Sequence, residues 1–159
     1  MADNGTVTGT TNLEASECWK LLRSCEVGRL AVSVDDRPDI FPLNYVVDHG
    51  AIVVRTAEGS KLMAAVSNPQ VAFEVDDYSS HEGQAWSVVL KGTLQPIEQV
   101  DDLIAAMGLP LFPWHAAAGQ RYLRLVPEDI SGRRFVAAEK AEQGGLSSHL
   151  GRTSGTSGR

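Results

Sequence analysis

The 159-residue chain is poor in cysteine and in positive charge, and each shortage removes a class of protein. Two cysteines cannot build a disulfide framework. Cys18 and Cys25 lie in a segment with helical spacing, where seven residues put their Cα atoms roughly 10 Å apart, beyond disulfide reach. Both are read as small buried apolar residues beside Leu21 and Leu22. Fourteen Lys plus Arg against twenty Asp plus Glu give a net charge of −6, the wrong sign for a sequence-independent nucleic-acid surface. No apolar run approaches the roughly 20 residues that span a bilayer, and Met1–Thr11 lacks the basic start and apolar stretch of a signal peptide. The expected location is cytoplasmic, with no membrane and no nucleic acid as partner. Catalytic signatures are missing as well: no HExxH, CxxC, Walker loop, GxGxxG or GxSxG occurs. His49, His81, His115 and His149 are scattered without metal-ligand spacing, so neither a metal site nor a dedicated catalytic side chain is expected.

What remains is a globular composition, 43% hydrophobic and 21% charged, at a length that suits one domain. Residues 1–12 form a polar tail, and residues 137–159 a second one. Its last sixteen residues hold five Gly, four Ser and two Thr, too little apolar surface to offset chain entropy. The domain is expected over residues 13–136, and the stretch from Leu13 to Phe135, with seventeen acids and eleven bases, carries the whole charge imbalance.

Within it, Thr11 and Glu14 match a capping box before a helix that runs on through Leu21, Leu22 and Cys25 and ends near Gly28. Alternation then takes over. Leu30 to Val34, Ile40 to Val47 and Ala51 to Thr56 read as three strands of an antiparallel meander, with Pro42 marking an edge or a bulge. A short helix, Lys61 to Val66, is ended by Asn68 and Pro69. Val71 to Val75 and Trp86 to Leu94 are two further strands around a polar loop, Ser79 to Gln84, and a bulge is plausible at Gly92. Pro96 opens a helix through Met107, with Val100, Leu103, Ile104 and Met107 as its apolar stripe. Tyr122 to Val126 and a short Ile130 to Phe135 complete six or seven strands. The fold class is mainly β with flanking helices, arranged as a compact antiparallel barrel.

One stretch carries chemistry: Arg55-Thr56-Ala57-Glu58-Gly59-Ser60-Lys61. It leaves a strand through a glycine turn and enters a helix, where free N–H groups favour an anion. Arg55 could grip phosphate oxygens, Thr56 and Ser60 could add hydroxyl bonds, and Lys61 a point charge. Equally, Ser60 could simply cap the helix while both cations face water, and Glu58 opposes an anion unless it points away. Tyr45, Trp86 and Trp114 are the aromatic candidates, and Asn44 could hydrogen-bond a planar heterocycle.

The succession Val27-Gly28-Arg29-Leu30-Ala31, Pro42-Leu43-Asn44-Tyr45, Arg55-Thr56 with Gly59-Ser60-Lys61, Val71-Ala72-Phe73-Glu74-Val75-Asp76 and Trp86-Ser87-Val88 resembles the pyridoxamine 5′-phosphate oxidase-like, flavin-binding split-barrel family. Gly132-Arg133-Arg134-Phe135 is similar to that family's closing segment. The resemblance implies a six-stranded antiparallel split barrel that forms a homodimer, with flavin mononucleotide (FMN) between the subunits. By position, Arg55, Thr56, Ser60 and Lys61 would hold the phosphate, Asn44 would lie near the isoalloxazine ring, Trp86 near the cofactor or its wall, and Trp114 would reach across the dimer. The segment with which vitamin B6 oxidases bind their substrate is not found, and Thr56 stands where nitroimidazole-reductase relatives tend to carry histidine. The deazaflavin F420 is the alternative cofactor. The implied activity is a flavin- or deazaflavin-dependent oxidoreductase acting on a small molecule; the alternative is a non-enzymatic carrier or sensor holding flavin or heme. Either way, in a −6 protein anion affinity has to come from a few short-range donors, not from long-range steering.

Overall fold

In a computed structural model, which describes residues 9–111 and 119–136, the period-two alternation builds seven strands around one core. Strand β1 is Thr10–Leu13, followed by helix α1, Ala15–Ser24, and by strands β2, Val27–Val34, β3, Arg37–Asp48, and β4, Ala51–Ala57. Helix α2, Lys61–Ala64, continues as a 3-10 turn, Ala65–Ser67, into β5, Gln70–Ser79, and β6, Gln84–Pro96. Helix α3, Val100–Met107, and strand β7, Gln120–Val136, end the described chain.

All pairings are antiparallel, in the order β1-β7-β4-β3-β2-β5-β6, and β6 pairs back onto β7. That last pairing closes a ring of six strands, β2 to β7, and removes the sheet edges that a flat arrangement would leave open. The expected strand count of six is therefore corrected to seven, because β1 adds to the far half of β7, Thr10 opposite Phe135 and Leu13 opposite Gly132. Residues 10–12, which read as tail by composition, belong to the sheet. The meander β2-β3-β4 is present as expected, as is the turn between Ser79 and Gln84.

Inward residues alternate along the strands: Leu30, Ile52, Val54, Phe73, Val75, Val88, Leu90, Leu123 and Leu125 are almost completely buried. Helix α1 adds Cys18 and Leu22 to this core. Both cysteines are free, Cys18 buried and Cys25 half-buried just beyond the helix. The helix starts later than expected, since Glu14 is its N-cap and Glu14 and Glu17 make the capping box, while Thr11 lies in β1. It also ends before Gly28, which sits inside β2 under the ring of Phe73.

Two prolines and a glycine explain further departures. Pro42 stands in β3 where only β2 is paired with it, because the ladder to β4 begins at Tyr45, so the expected local edge is present. Pro96 does not open a helix; it closes β6 opposite Leu123, and α3 begins only at Val100 with Gln99 as N-cap. Nor are Tyr122–Val126 and Ile130–Phe135 separate strands. They run together as β7, and the mismatch is absorbed by a bulge between Lys91 and Gly92, where a side chain on Gly92 would collide with the Val126 carbonyl. The apolar stripe of α3 is only partly used: Ala106 is buried, whereas Val100, Ile104 and Met107 are exposed by 64–69%.

Tyr45 ties the barrel to α1. Its hydroxyl donates to the Leu22 carbonyl, and its ring meets Phe73 edge-on at 4.9 Å. Burial pushes this phenol well above the usual tyrosine range, with Cys25 as a second cause. A folded value above the unfolded value of about 10 means that the stabilising contribution is intact below pH ~10 and is lost as the pH rises beyond it. Tyr45→Phe is expected to cost about 1–2 kcal/mol at neutral pH, and to flatten the alkaline loss of stability. Thermal melts at about pH 8 and pH 11 check this, and equal alkaline slopes in both proteins would remove Tyr45 as the cause.

Candidate functional site

The corner between β4 and α2 is built by a turn that only glycine fits well. Gly59 has φ +74°, with open space where a side chain would be, and Ser60 follows in extended conformation as N-cap of α2. The Ser60 hydroxyl accepts the Met63 N–H at 3.2 Å and lies 2.8 Å from the Thr56 hydroxyl. The capping alternative is thus realised, and the same oxygen is half of a hydroxyl pair. Helix α2 has only four residues, not the six expected, so its summed dipole is small and any anion held here depends on side chains.

Those side chains are available. Glu58, whose charge opposes an anion, is drawn away to Arg121 on β7 at 2.7 Å, a pairing that raises the Arg121 pKa. Two further acids, Glu74 and Asp76, both bond Arg29 at 2.7 Å on the outside of β2 and β5. Neither Lys61 nor Arg55 has a carboxylate partner among the described residues. Lys61 is exposed, and Arg55, like Thr56 and Ser60, is half-buried.

The expected set is only partly gathered. Thr56 and Ser60 come together through their hydroxyls, and Lys61 follows Ser60 as the first residue of α2. Arg55 leaves the opposite face of β4, because neighbours on a strand alternate and Val54 points into the core. On that outer face it stands opposite Tyr122 of β7, and Asn44, one residue before the Tyr45–Val54 pair, comes level with it. Asn44, Arg55 and Tyr122 therefore form a half-buried polar row across three strands. Sequence reasoning misses Tyr122, since an aromatic in an alternating strand carries no signal beyond packing. Trp86 is elsewhere: it leans on the core near the β1 end of β7, opposite Asp77 and Arg134. Eight residues of strand, about 26 Å, separate it from Leu94, whose N–H meets the Pro69 carbonyl behind α2. Trp114 lies outside the described residues.

A cleft of about 490 Å³ opens beside Lys61. Its walls include Val32, Val34 and Phe41 from the β2–β3 hairpin and Lys61 and Ala64 from α2, with Asp35, Arg37 and Asp39 at the hairpin. In the sequence, Asp35 to Pro38 signals only a turn. The turn itself is a two-residue one, Asp35 and Asp36 both at positive φ, and it bends these charges over α2. Among the described residues no cluster of metal-ligating side chains occurs, and no helix is long and apolar enough to cross a membrane.

The family model described as pyridoxamine 5′-phosphate oxidase matches residues 14–134. The chain belongs to that family. An FAD-binding protein from Mycobacterium smegmatis is 41% identical, with a TM-score of 0.70 over 79% of this chain and 99% of that one. An FAD-binding protein from Mesorhizobium loti is 26% identical, with a TM-score of 0.71 over 80% of this chain and 98% of the other. A Mycobacterium tuberculosis protein without an assigned function is 30% identical over 130 residues, 79% of this chain and 85% of its own length. Within the pyridoxamine 5′-phosphate oxidase family, then, the split barrel is the shared frame, and two similar solved structures are of flavin binders. The corner holds a hydroxyl pair followed by a lysine without a carboxylate partner among the described residues, and Glu58 is paired with Arg121.

Proposed function

We propose that this protein binds a flavin nucleotide through its phosphate at the β4–α2 corner and serves as a flavin- or deazaflavin-dependent oxidoreductase for a small organic molecule. The observation that carries the reading is Lys61, a cation without a carboxylate partner among the described residues, next to the Thr56–Ser60 hydroxyl pair in an acid-rich body. Thr56 and Ser60 offer hydroxyl donors to phosphate oxygens and Lys61 offers charge. Arg55 and Asn44, on the outer face, offer donors to the polar edge of the isoalloxazine ring. A bound flavin supplies the redox chemistry itself, which leaves the protein to bind and orient it.

A homodimer is part of the proposal. One chain divides the described site residues between two faces of β4 and the far end of β6, and a second copy would bring Trp86 to the same ligand. The open edge of β3 over residues 37–44, with Ile40 62% exposed, supports an interface there. FMN remains the first expectation and F420 the alternative; the named binding partner of the two solved relatives adds FAD.

The experiment is the absorbance spectrum of the purified protein, followed by titration with FMN, FAD and F420. Bound or acquired flavin absorbance is expected, and failure to bind any of the three overturns the proposal. A carrier or sensor is the second reading, favoured by one fact: the buried residues among those described carry only two titratable groups, Cys18 and Tyr45, and the Tyr45 hydroxyl is already engaged by the Leu22 carbonyl. Tight binding without reduction by NAD(P)H or a deazaflavin reductase, and without reoxidation by candidate acceptors, selects that reading.

A further inference from the structure

The cleft between the β2–β3 hairpin and α2 is lined by Lys61 but by neither Thr56 nor Ser60, so it is a place apart from the hydroxyl pair. Its volume of about 490 Å³ lies within the range of small-molecule sites. Strand register builds its floor. Beyond Ala31, β2 pairs only with β3, and before Tyr45, β3 pairs only with β2, so residues 32–39 project from the ring as a free hairpin. Leu30 stands opposite Phe41, Val32 opposite Asp39 and Val34 opposite Arg37. Cross-strand partners share a face, and the burial of Leu30 makes this the inner one. The hairpin therefore carries the core-facing side of the sheet out over α2, with Lys61 and Ala64 as the opposite wall.

That face combines an apolar surface with two opposite charges that do not meet. Arg37 and Asp39, two residues apart on one strand, have Cα atoms about 6.7 Å from each other. Neither is in an ion pair among the described residues. Asp39 accepts the Ile40 N–H at 2.9 Å with one carboxylate oxygen, and its other oxygen has no partner among them. Asp35 and Lys61 complete a lining of two acids and two bases, which favours a ligand of zero net charge over an anion or a cation. We propose that this cleft binds a free apolar α-amino acid as its zwitterion. Its carboxylate lies on Arg37, its ammonium on Asp39, and its side chain against Val32, Val34 and Phe41. An α-amino acid carries both charges on one carbon, and with a charge-assisted hydrogen bond of about 2.8 Å at either end it bridges groups about 7–8 Å apart. The Arg37 guanidinium takes the carboxylate with two parallel N–H donors. Val34 and Phe41 are half-buried and rest on the core, so the apolar surface offered to the side chain is preformed. The site goes beyond the flavin reading and does not depend on it.

The test is calorimetric titration of the full-length protein with four probes: L-phenylalanine, phenethylamine without the carboxylate, phenylpropionate without the ammonium, and glycine without the side chain. L-phenylalanine is expected to bind at least about tenfold more tightly than each of the others. Asp39→Asn keeps an oxygen for the Ile40 N–H and removes the charge. It is expected to weaken L-phenylalanine about tenfold or more while phenylpropionate is unaffected. Arg37→Gln is expected to weaken L-phenylalanine to a similar degree while phenethylamine is unaffected. Both positions are exposed, and an unchanged melting temperature separates loss of the site from loss of the fold. No binding of L-phenylalanine to the unmodified protein overturns the proposal. So does equal binding of any truncated probe, or an unaltered affinity for L-phenylalanine in either variant. Titration with FMN is a separate measurement, so failure here leaves the flavin reading standing.

Discussion

Phe73→Ala is expected to lower stability by about 3–5 kcal/mol, the largest loss from any single truncation in this barrel. Phe73 is completely buried and is the bulkiest of the fully buried side chains. It also joins three elements at once. It is carried by β5 opposite Leu30 of β2, its ring meets Tyr45 of β3 edge-on, and its tip lies where a side chain on Gly28 would be. Alanine would leave a cavity that the closed ring of strands cannot collapse, because each neighbour is held by two ladders. Chemical denaturation reads the effect as a lower midpoint with an unchanged slope. A companion measurement makes the cause specific. Gly28→Ala alone places its Cβ 2.3 Å from the Phe73 ring and is expected to destabilise, whereas in the Phe73→Ala background the added methyl enters the vacated space. The two changes should therefore be strongly non-additive, and simple additivity would show that Phe73 does not pack over Gly28.

Lys61→Glu is expected to lower FMN affinity by about a hundredfold or more, because it replaces attraction with repulsion beside a phosphate that carries close to two negative charges. The fold should be unaffected, since Lys61 is exposed and makes no ion pair among the described residues. Unchanged circular dichroism and melting temperature, together with near-normal binding in Lys61→Arg, would separate loss of the site from loss of the protein. The effect should shrink as salt rises, in keeping with an exposed charge. If Lys61→Glu binds flavin as well as the unmodified chain does, the phosphate is held elsewhere.

The turn and cap of Ala57 to Lys61 are legible in the sequence because both are encoded locally. Gly59 permits the positive φ, Ser60 caps, and Lys61 follows at the next position. Strand alternation is legible in the same way, and so are the bulge at Gly92 and the edge at Pro42, since each follows from the geometry of one or two residues. Pro96 and Thr11 mislead because both suit a helix start by local preference, and pairing with Leu123 and Arg134 respectively outweighs that preference. The exposed stripe of α3 misleads for a related reason. Helical spacing identifies an apolar face but cannot say whether the same chain covers it.

By itself the sequence determined the family, the antiparallel β character, and the residue types that could bind a phosphate in an acidic protein. Tertiary structure alone decided that Arg55 and Thr56 serve opposite faces of β4, that Glu58 is withdrawn by Arg121, and that the hairpin bends Arg37 over a cleft shared with Lys61. The reason is physical: strand register and ring closure are set by ladders between residues far apart in the chain, such as Arg55 with Tyr122. Which charges meet across those ladders is not encoded in any local run of sequence.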